Sequence, residues 1–315
     1  MTEKTSFLPD VEPPIGGIAY DNATFSPGLG ALRGLAAVGV VIFHVLLFLP
    51  IAGIDTPHVD ELNPNNRPLL AQHVLLGIFN GRGLVVLFFV LSGCVLAMSL
   101  DRVSDFGVRS WPSYWVRRGF RLYPLLIIAA TLGAYLQFQI GSEESGIGSS
   151  WADLHYDVPA DQLWREWAKN ATGYSNSLNS PAWSIRVEII ASIIFPIIYL
   201  IALSKIGAIL GGILFISAMF WAPGSSDDYF LMNVYTFCFF IGAIIPLHGR
   251  WFVRFYFLLP IKVRYLLVFS VILTFMFARR LINPSDFVPP AVVLIESLCS
   301  AALVTLVLYS LRPKI

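Results

Sequence analysis

The sequence predicts an all-α polytopic membrane protein, and composition and apolar run length carry this prediction. Of the 315 residues, 56% are hydrophobic and only 13% are charged, whereas a soluble domain holds about a quarter charged residues. Apolar runs recur from residue 31 onward, and several reach the roughly 20 residues that cross a bilayer core.

The net charge of +1, without a basic tail, indicates no nucleic-acid partner. Cys94, Cys238 and Cys299 lie inside apolar runs, which predicts small core residues and neither a disulfide framework nor a metal site.

About eight transmembrane helices are predicted in one bundle. The candidate spans are residues 31–50, 83–100, 120–140, 185–204, 206–222, 229–247, 264–279 and 290–311. The run at 69–79 is too short to span and predicts an interfacial or re-entrant helix. Residues 1–30 are polar and rich in proline and glycine, which predicts a flexible N-terminal arm before one transmembrane domain at 31–315.

The lysine and arginine distribution predicts that both termini are cytoplasmic. With the N-terminus inside, 14 of the 21 basic residues fall on the cytoplasmic side of the predicted spans, as the positive-inside rule requires. The longest external loop, about 141–183, is acidic and carries Trp151, Trp164 and Trp167. Tryptophans at such positions usually mark the membrane interface, and a stacking surface for sugar rings is the weaker interpretation.

The first span carries two ionisable residues, Arg33 and His44, eleven positions apart. Eleven residues of α-helix make about three full turns and rise about 16 Å, so the two side chains share one face. Arg33 is expected at the cytoplasmic headgroup level, where it could also be a topology anchor. His44 is expected near the bilayer midplane, facing the bundle interior or a wet cavity; a hydrogen-bonded core histidine is the alternative interpretation.

Two further motifs place charged residues beside predicted spans. Arg118 and Arg121 are three apart before the third span, which fits a phosphate clamp at the membrane surface or a topology signal that binds anionic lipid. Ser184 and Glu188 share a face at the external end of the fourth span. A carboxylate at that depth should have a partner, and Arg186, two residues away, points elsewhere. Glu296 is a second intramembrane acid, with no role assigned from the sequence.

Four segments in series resemble the acyltransferase 3 family of bacterial inner-membrane O-acyltransferases. They are 32-LRGLAAVGVVIFH-44, 83-GLVVLFFVLSG-93, 117-RRGFRLYP-124 and 182-AWSIRVE-188. They occur in the family's order over about half the chain. The resemblance implies a multi-pass protein of the bacterial inner membrane that takes its acyl group, often acetyl, from acyl-CoA. It implies a carbohydrate or glycan hydroxyl as acceptor and no bound cofactor.

The resemblance also implies roles for individual residues. His44 corresponds to the catalytic residue of the first span, and Arg33 belongs to the same motif. Arg118 and Arg121 correspond to an Arg-x-x-Arg element that holds the acyl donor, and Glu188 matches an acidic residue after the family's Trp-Ser. With Ser184 beside Glu188, these six residues are the predicted site: His44 and Glu188 catalytic, the other four substrate-binding.

Family members usually have about ten spans, and this chain ends near 311-LRPKI-315, before the family's usual C-terminal segment. A truncated, non-catalytic member is therefore one alternative. A transporter or flippase that uses the intramembrane polar residues as a substrate path is another, although the sequence shows no internal repeat of the kind common in transporters. For an enzyme, His44 is predicted either as a general base or as a covalent acyl carrier, and Glu188 either to orient the imidazole or to hold the acceptor.

Overall fold

The computed structural model describes residues 27–48, 67–103, 107–140, 158–221, 228–282 and 289–310. Within these ranges the chain is helical and contains no strand, which confirms the predicted all-α class. Nearly all of the predicted N-terminal arm and much of the long external loop lie outside the described residues.

Eleven α-helices occupy the described ranges. They are α1 (Pro27–Phe48), α2 (Arg67–Ile78), α3 (Gly81–Asp101), α4 (Trp111–Ile140), α5 (Leu163–Ala171), α6 (Trp183–Leu203), α7 (Lys205–Trp221), α8 (Asp228–His248), α9 (Arg250–Leu258), α10 (Ile261–Ile282) and α11 (Pro290–Ser310). Six of the described helical segments are long and apolar enough to cross a membrane, or seven if the bent α8–α9 pair is one span; α7 is a shorter apolar helix. The count of eight spans and the cytoplasmic termini remain predictions.

Helix α3 lies at the centre of the bundle, packed against α1, α6, α8 and α11. Its closest neighbour is α8, because Gly93 and Gly242 let the two backbones touch. A Cβ at Gly93 would fall well inside contact distance of the Phe239 carbonyl oxygen, and a Cβ at Gly242 would meet the Val90 carbonyl oxygen. Gly93 thus has the role that small residues commonly have in membrane helices, which is to let two helices pack closely.

The neighbouring helices run in alternating directions around α3. Helix α1 is antiparallel to it, since Gly39 meets Leu84 and Phe43 meets Gly81. Helix α6 is parallel to α3: Trp183 lies 6.2 Å from Phe89 between ring centroids, and Tyr199 donates a hydrogen bond to Asp101 farther along both helices. This alternation is the arrangement expected of successive membrane spans.

The short run predicted at 69–79 forms the separate 12-residue helix α2. All three cysteines are free and buried, as predicted, and Cys238 Sγ lies 3.2 Å from Ser297 Oγ.

Helix α4 differs most from its predicted span. It begins at Trp111 instead of about residue 120, and it is 30 residues long. Its first turns pack against the middle of α6, where Trp115 Nε1 donates to the Ile193 carbonyl oxygen over 3.2 Å. Arg118 of the arginine motif thus lies inside the bundle, whereas Arg121 remains exposed.

Candidate active site

A buried ion pair joins α4 to α6. The Arg118 guanidinium contacts Glu188 through Nη2 and donates from Nε to Ser192 Oγ over 3.0 Å. Ser92 of α3 donates to the same Glu188 oxygen over 3.1 Å. Arg118 is only 7% exposed. Three helices therefore meet at one carboxylate whose charge is balanced by a hydrogen-bonded guanidinium.

This pair corrects the depths assigned from the sequence. Arg118 was predicted at the cytoplasmic surface and Glu188 at the external end of its span, yet the two side chains touch. The reason is the early start of α4, which places Arg118 two turns inside the helix. The expectation that Glu188 has a partner other than Arg186 holds, and that partner is Arg118.

Arg33 and Arg121 extend this pair into a basic cluster. Arg33 is half-buried on α1 and interacts electrostatically with Arg121, Glu188 and Arg118. Arg121 is exposed, one helical turn beyond Arg118. We call Arg33, Arg118, Arg121 and Glu188 the arginine cluster. It carries three positive charges and one negative charge, so two positive charges remain for a ligand.

Ser184 lies one turn before Glu188, but its hydroxyl donates to the Pro181 carbonyl oxygen over 2.9 Å. That bond is local to the start of α6, where Ser180–Ala182 form a 3-10 turn with Pro181 near its beginning. Helix α6 therefore begins directly after the Asn179-Ser180-Pro181 segment. The role of Ser184 in substrate binding stays a prediction. Ser92 also belongs to this site through its bond to Glu188, and no local feature of its apolar run indicates that bond.

His44 lies farther along α1 on the same side as Arg33. The exposed apolar stripe of α1 is formed by Leu35, Val38 and Val45, and His44 is half-buried beside it. Its Nδ1 donates to the Val40 carbonyl oxygen over 2.8 Å. A neutral ring that donates from Nδ1 carries its lone pair at Nε2, the atom that a general base uses.

Glu188 lies near the Arg33 level of α1: Gly39 meets Leu84 across the antiparallel α1 and α3, which brings Arg33 near the level of Ser92, and Ser92 bonds to Glu188. The helical rise between Arg33 and His44 is about 16 Å. Glu188 therefore pairs with Arg118. The His44 imidazole is oriented by its own contact with the Val40 carbonyl oxygen.

A second ionic network, which is fully buried at Glu296, lies at the start of α3. Arg279 of α10 binds Glu296 of α11 through two bonds, 3.1 Å from Nε and 2.7 Å from Nη2. Asn80 donates to Glu296 over 2.9 Å and to the Phe275 carbonyl over 2.8 Å, and its Oδ1 caps α3 by accepting from the Gly83 amide. Glu296, which had no role assigned from the sequence, therefore joins three helices.

Phe43, the neighbour of His44, packs directly on Gly81 next to this network. A Cβ at Gly81 would overlap the Phe43 ring. The network thus secures the surface against which the His44 segment of α1 lies.

Two of the predicted external tryptophans are described, and they stack on each other. The Trp164 and Trp167 ring centroids are 4.7 Å apart at an interplanar angle of 15°, and Trp167 Nε1 donates to Thr131 Oγ1 over 3.0 Å. Trp164 is 74% exposed, so its outer face is available to a lipid or to a sugar ring.

Comparison with known proteins supports one family. The protein named "Acyltransferase MdmB" from Streptomyces mycarofaciens is 31% identical over 115 residues, covering 36% of this chain and 27% of that protein. The protein named "Putative O-acetyltransferase SAS0844" from Staphylococcus aureus (strain MSSA476) is 26% identical over 212 residues, covering 64% of this chain and 30% of that protein. The chain thus spans less than a third of the length of these curated relatives.

No solved structure matches this chain. The family model described as an acyltransferase domain matches residues 26–313, which include all six residues of the predicted site. The chain folds as a multi-pass helical bundle that carries the arginine and histidine motifs. It belongs to the acyltransferase 3 family.

Proposed function

We propose that this chain is a membrane-embedded O-acyltransferase of the bacterial inner membrane. In this proposal it moves an acyl group, most simply acetyl, from acyl-CoA to a hydroxyl of a carbohydrate or glycan. Family membership and the names of the relatives support acyl transfer. The observation that carries the proposal is the arginine cluster, which has two excess positive charges and includes Arg33 on the same helix as His44.

The donor would bind through its phosphates at the arginine cluster. Guanidinium groups pair well with phosphate oxygens, in two parallel hydrogen bonds where the geometry allows. Arg118 is already bonded to Glu188 and Ser192, so Arg33 and Arg121 are the residues proposed to contact phosphate. Arg118 and Glu188 act as positioning residues, holding α4 against α6 so that Arg121 lies close to Arg33.

The thioester would then lie along α1 toward His44. The rise of about 16 Å from Arg33 is within reach of an extended pantetheine arm. His44 Nε2 removes the proton from the acceptor hydroxyl, and the hydroxyl oxygen attacks the thioester carbonyl carbon. The tetrahedral intermediate collapses with cleavage of the C–S bond, and the departing CoA thiolate takes the proton from His44. The products are an O-acyl ester and free CoA.

Transfer of label from acetyl-CoA tests this function directly. Membranes that contain the protein receive labelled acetyl-CoA and a carbohydrate extract, and labelled products are identified by mass spectrometry. We expect His44→Ala to abolish label transfer, since general-base catalysis contributes about 10²- to 10⁴-fold, while the protein still inserts and accumulates.

His248→Gln is the matched control. This second histidine contacts the Ala202 carbonyl oxygen at the end of α8, away from the arginine cluster, so we expect it to retain transfer. Full activity of His44→Ala would refute the proposed mechanism, and label transfer absent from the unsubstituted protein with every acceptor would refute the proposed function.

A further inference from the structure

A second basic surface lies where α9 meets α10, and the proposed function does not use it. It contains Arg250 and Arg254 of α9 with Lys262 and Arg264 of the first turn of α10. We call these four residues the basic elbow. No acidic residue occurs in the sequence between Asp228 and Asp286, so no carboxylate within that stretch offsets their charge.

Helix α9 has the form of a helix that lies along a membrane surface. It is nine residues long and bends by 72° from the described part of α8. Val253 and Tyr256 are half-buried and face the bundle, while Trp251 and Leu258 are 74% and 82% exposed. A short amphipathic helix with aromatic residues on one face and arginines on another is typical of an interfacial helix.

The arginines of α9 lie together beside this apolar face. Arg250 and Arg254 are four residues apart, so they share one side of the helix, and both are exposed. The Trp251 and Phe255 rings are stacked next to them, with centroids 6.3 Å apart at 14°. Cationic groups that border an exposed aromatic surface match the boundary between lipid headgroups and acyl chains.

Arg264 supplies an independent sign of a ligand at the elbow. Its guanidinium carbon lies 5.4 Å from the centre of the Phe257 ring, which holds the side chain over α9. Its Nε is buried and has no hydrogen-bond partner among the described residues. The side chain as a whole is only half-buried, so the terminal nitrogens of its guanidinium are the donors that a phosphate oxygen could reach.

We propose that the basic elbow binds the phosphate of an anionic phospholipid. The arginines supply charge-assisted donors for the headgroup, and the exposed Trp251, Phe255 and Leu258 side chains contact the acyl chains beside it. A soluble phosphate compound would meet the arginines but would leave this apolar face uncovered, which is why the structure favours a lipid.

The test uses the whole protein in nanodiscs of phosphatidylcholine alone or mixed with phosphatidylglycerol, followed by release into detergent and native mass spectrometry. We expect the unsubstituted protein to retain phosphatidylglycerol several-fold more than phosphatidylcholine. We expect the double variant Arg250→Gln/Arg254→Gln to lose most of this preference, and Arg264→Gln to weaken it as a single change.

Arg102→Gln/Arg109→Gln is the matched control, since both residues are exposed arginines outside the elbow, and it should keep the preference. The double variant changes only exposed side chains, so it reports on the elbow even if Arg264→Gln fails to fold. Equal lipid retention by the double variant and the unsubstituted protein would overturn the proposal. So would displacement of the lipid by acetyl-CoA or inorganic phosphate, which would make the elbow a site for soluble phosphates. Neither outcome depends on acyl transfer.

Discussion

Arg118 and Arg121 are three residues apart in one motif, yet the structure gives them different environments. Arg118 is buried and bonded to Glu188 and Ser192, while Arg121 is exposed at the next turn. A charged side chain inside the bundle requires a partner, and Glu188 satisfies Arg118 but not Arg121. Arg118 therefore anchors α4 to α6, and under the proposed function Arg121 and Arg33 are the two cations that contact the ligand.

We predict that Arg33→Gln and Arg121→Gln each raise the KM for acyl-CoA by about 10-fold or more, because a charge-assisted hydrogen bond contributes roughly 1.5–3 kcal/mol. The KM for the acceptor should change little. Steady-state kinetics with each substrate varied in turn provide the measurement.

Arg117→Gln is the control for this comparison, since Arg117 is an exposed neighbour that donates to Ser113 Oγ within its own helix. An unchanged dependence on acyl-CoA in both Arg33→Gln and Arg121→Gln would reduce these residues to topology signals.

At the scale of helices, the contact between α3 and α8 determines how closely the centre of the bundle packs. Membrane helices associate through small residues that let backbones approach, and Gly93 and Gly242 meet the facing helix in this way. The same helix α3 carries Ser92, which bonds to Glu188. A change in the α3–α8 distance would therefore also displace the carboxylate that holds Arg118.

We predict that Gly93→Ala destabilises the protein by about 1–3 kcal/mol, the usual cost of overpacking a core. The added Cβ would overlap the Phe239 backbone, which cannot move aside as a flexible side chain could. Thermal unfolding in detergent, followed by loss of the monodisperse chromatographic peak, measures the change.

Gly34→Ala is the matched helical control, because nothing lies within 4 Å of a Cβ at that exposed position of α1. Its midpoint should stay the same or rise slightly. Equal midpoints for Gly93→Ala and the unsubstituted protein would contradict the close contact of α3 with α8.

For the whole molecule, two ion pairs at different levels of the bundle join its helices. Arg118–Glu188 joins α4 to α6, and Arg279–Glu296 joins α10 to α11 with Asn80 of α3. Glu296 is fully buried, so its charge depends entirely on protein partners. The second pair secures the end of α3 on which Phe43 rests, and thereby the segment of α1 that carries His44.

We predict that Glu296→Gln lowers the unfolding free energy by about 3–5 kcal/mol, because it leaves the Arg279 charge buried without a counter-ion. The double variant Glu296→Gln/Arg279→Gln should recover part of that loss, since it removes both charges. Unfolding midpoints of the three proteins in one detergent test this, and a double variant no more stable than Glu296→Gln would argue against charge compensation.

Features that depend on neighbours in the sequence could be predicted before the structure. The apolar runs predicted the helices, and the regular turn of the helix placed Arg33 and His44 on one side of α1. Asn179 and Ser180 followed by Pro181 form a local helix-start signal, and α6 begins directly after it. Pro112 in the first turn of α4 is a signal of the same kind. The depth of Arg118 could not be predicted this way, because it depends on how α4 packs against α6.

By itself, then, the sequence determined the all-α membrane class, the family and the common face of Arg33 and His44, because hydropathy and helical periodicity are local properties of the chain. Only the tertiary structure decided that Glu188 pairs with Arg118 and that Glu296 pairs with Arg279. Arg118 and Glu188 are 70 positions apart, and their meeting depends on how far α4 is displaced along α6. That displacement results from contacts between two helices, and neither helix encodes it alone.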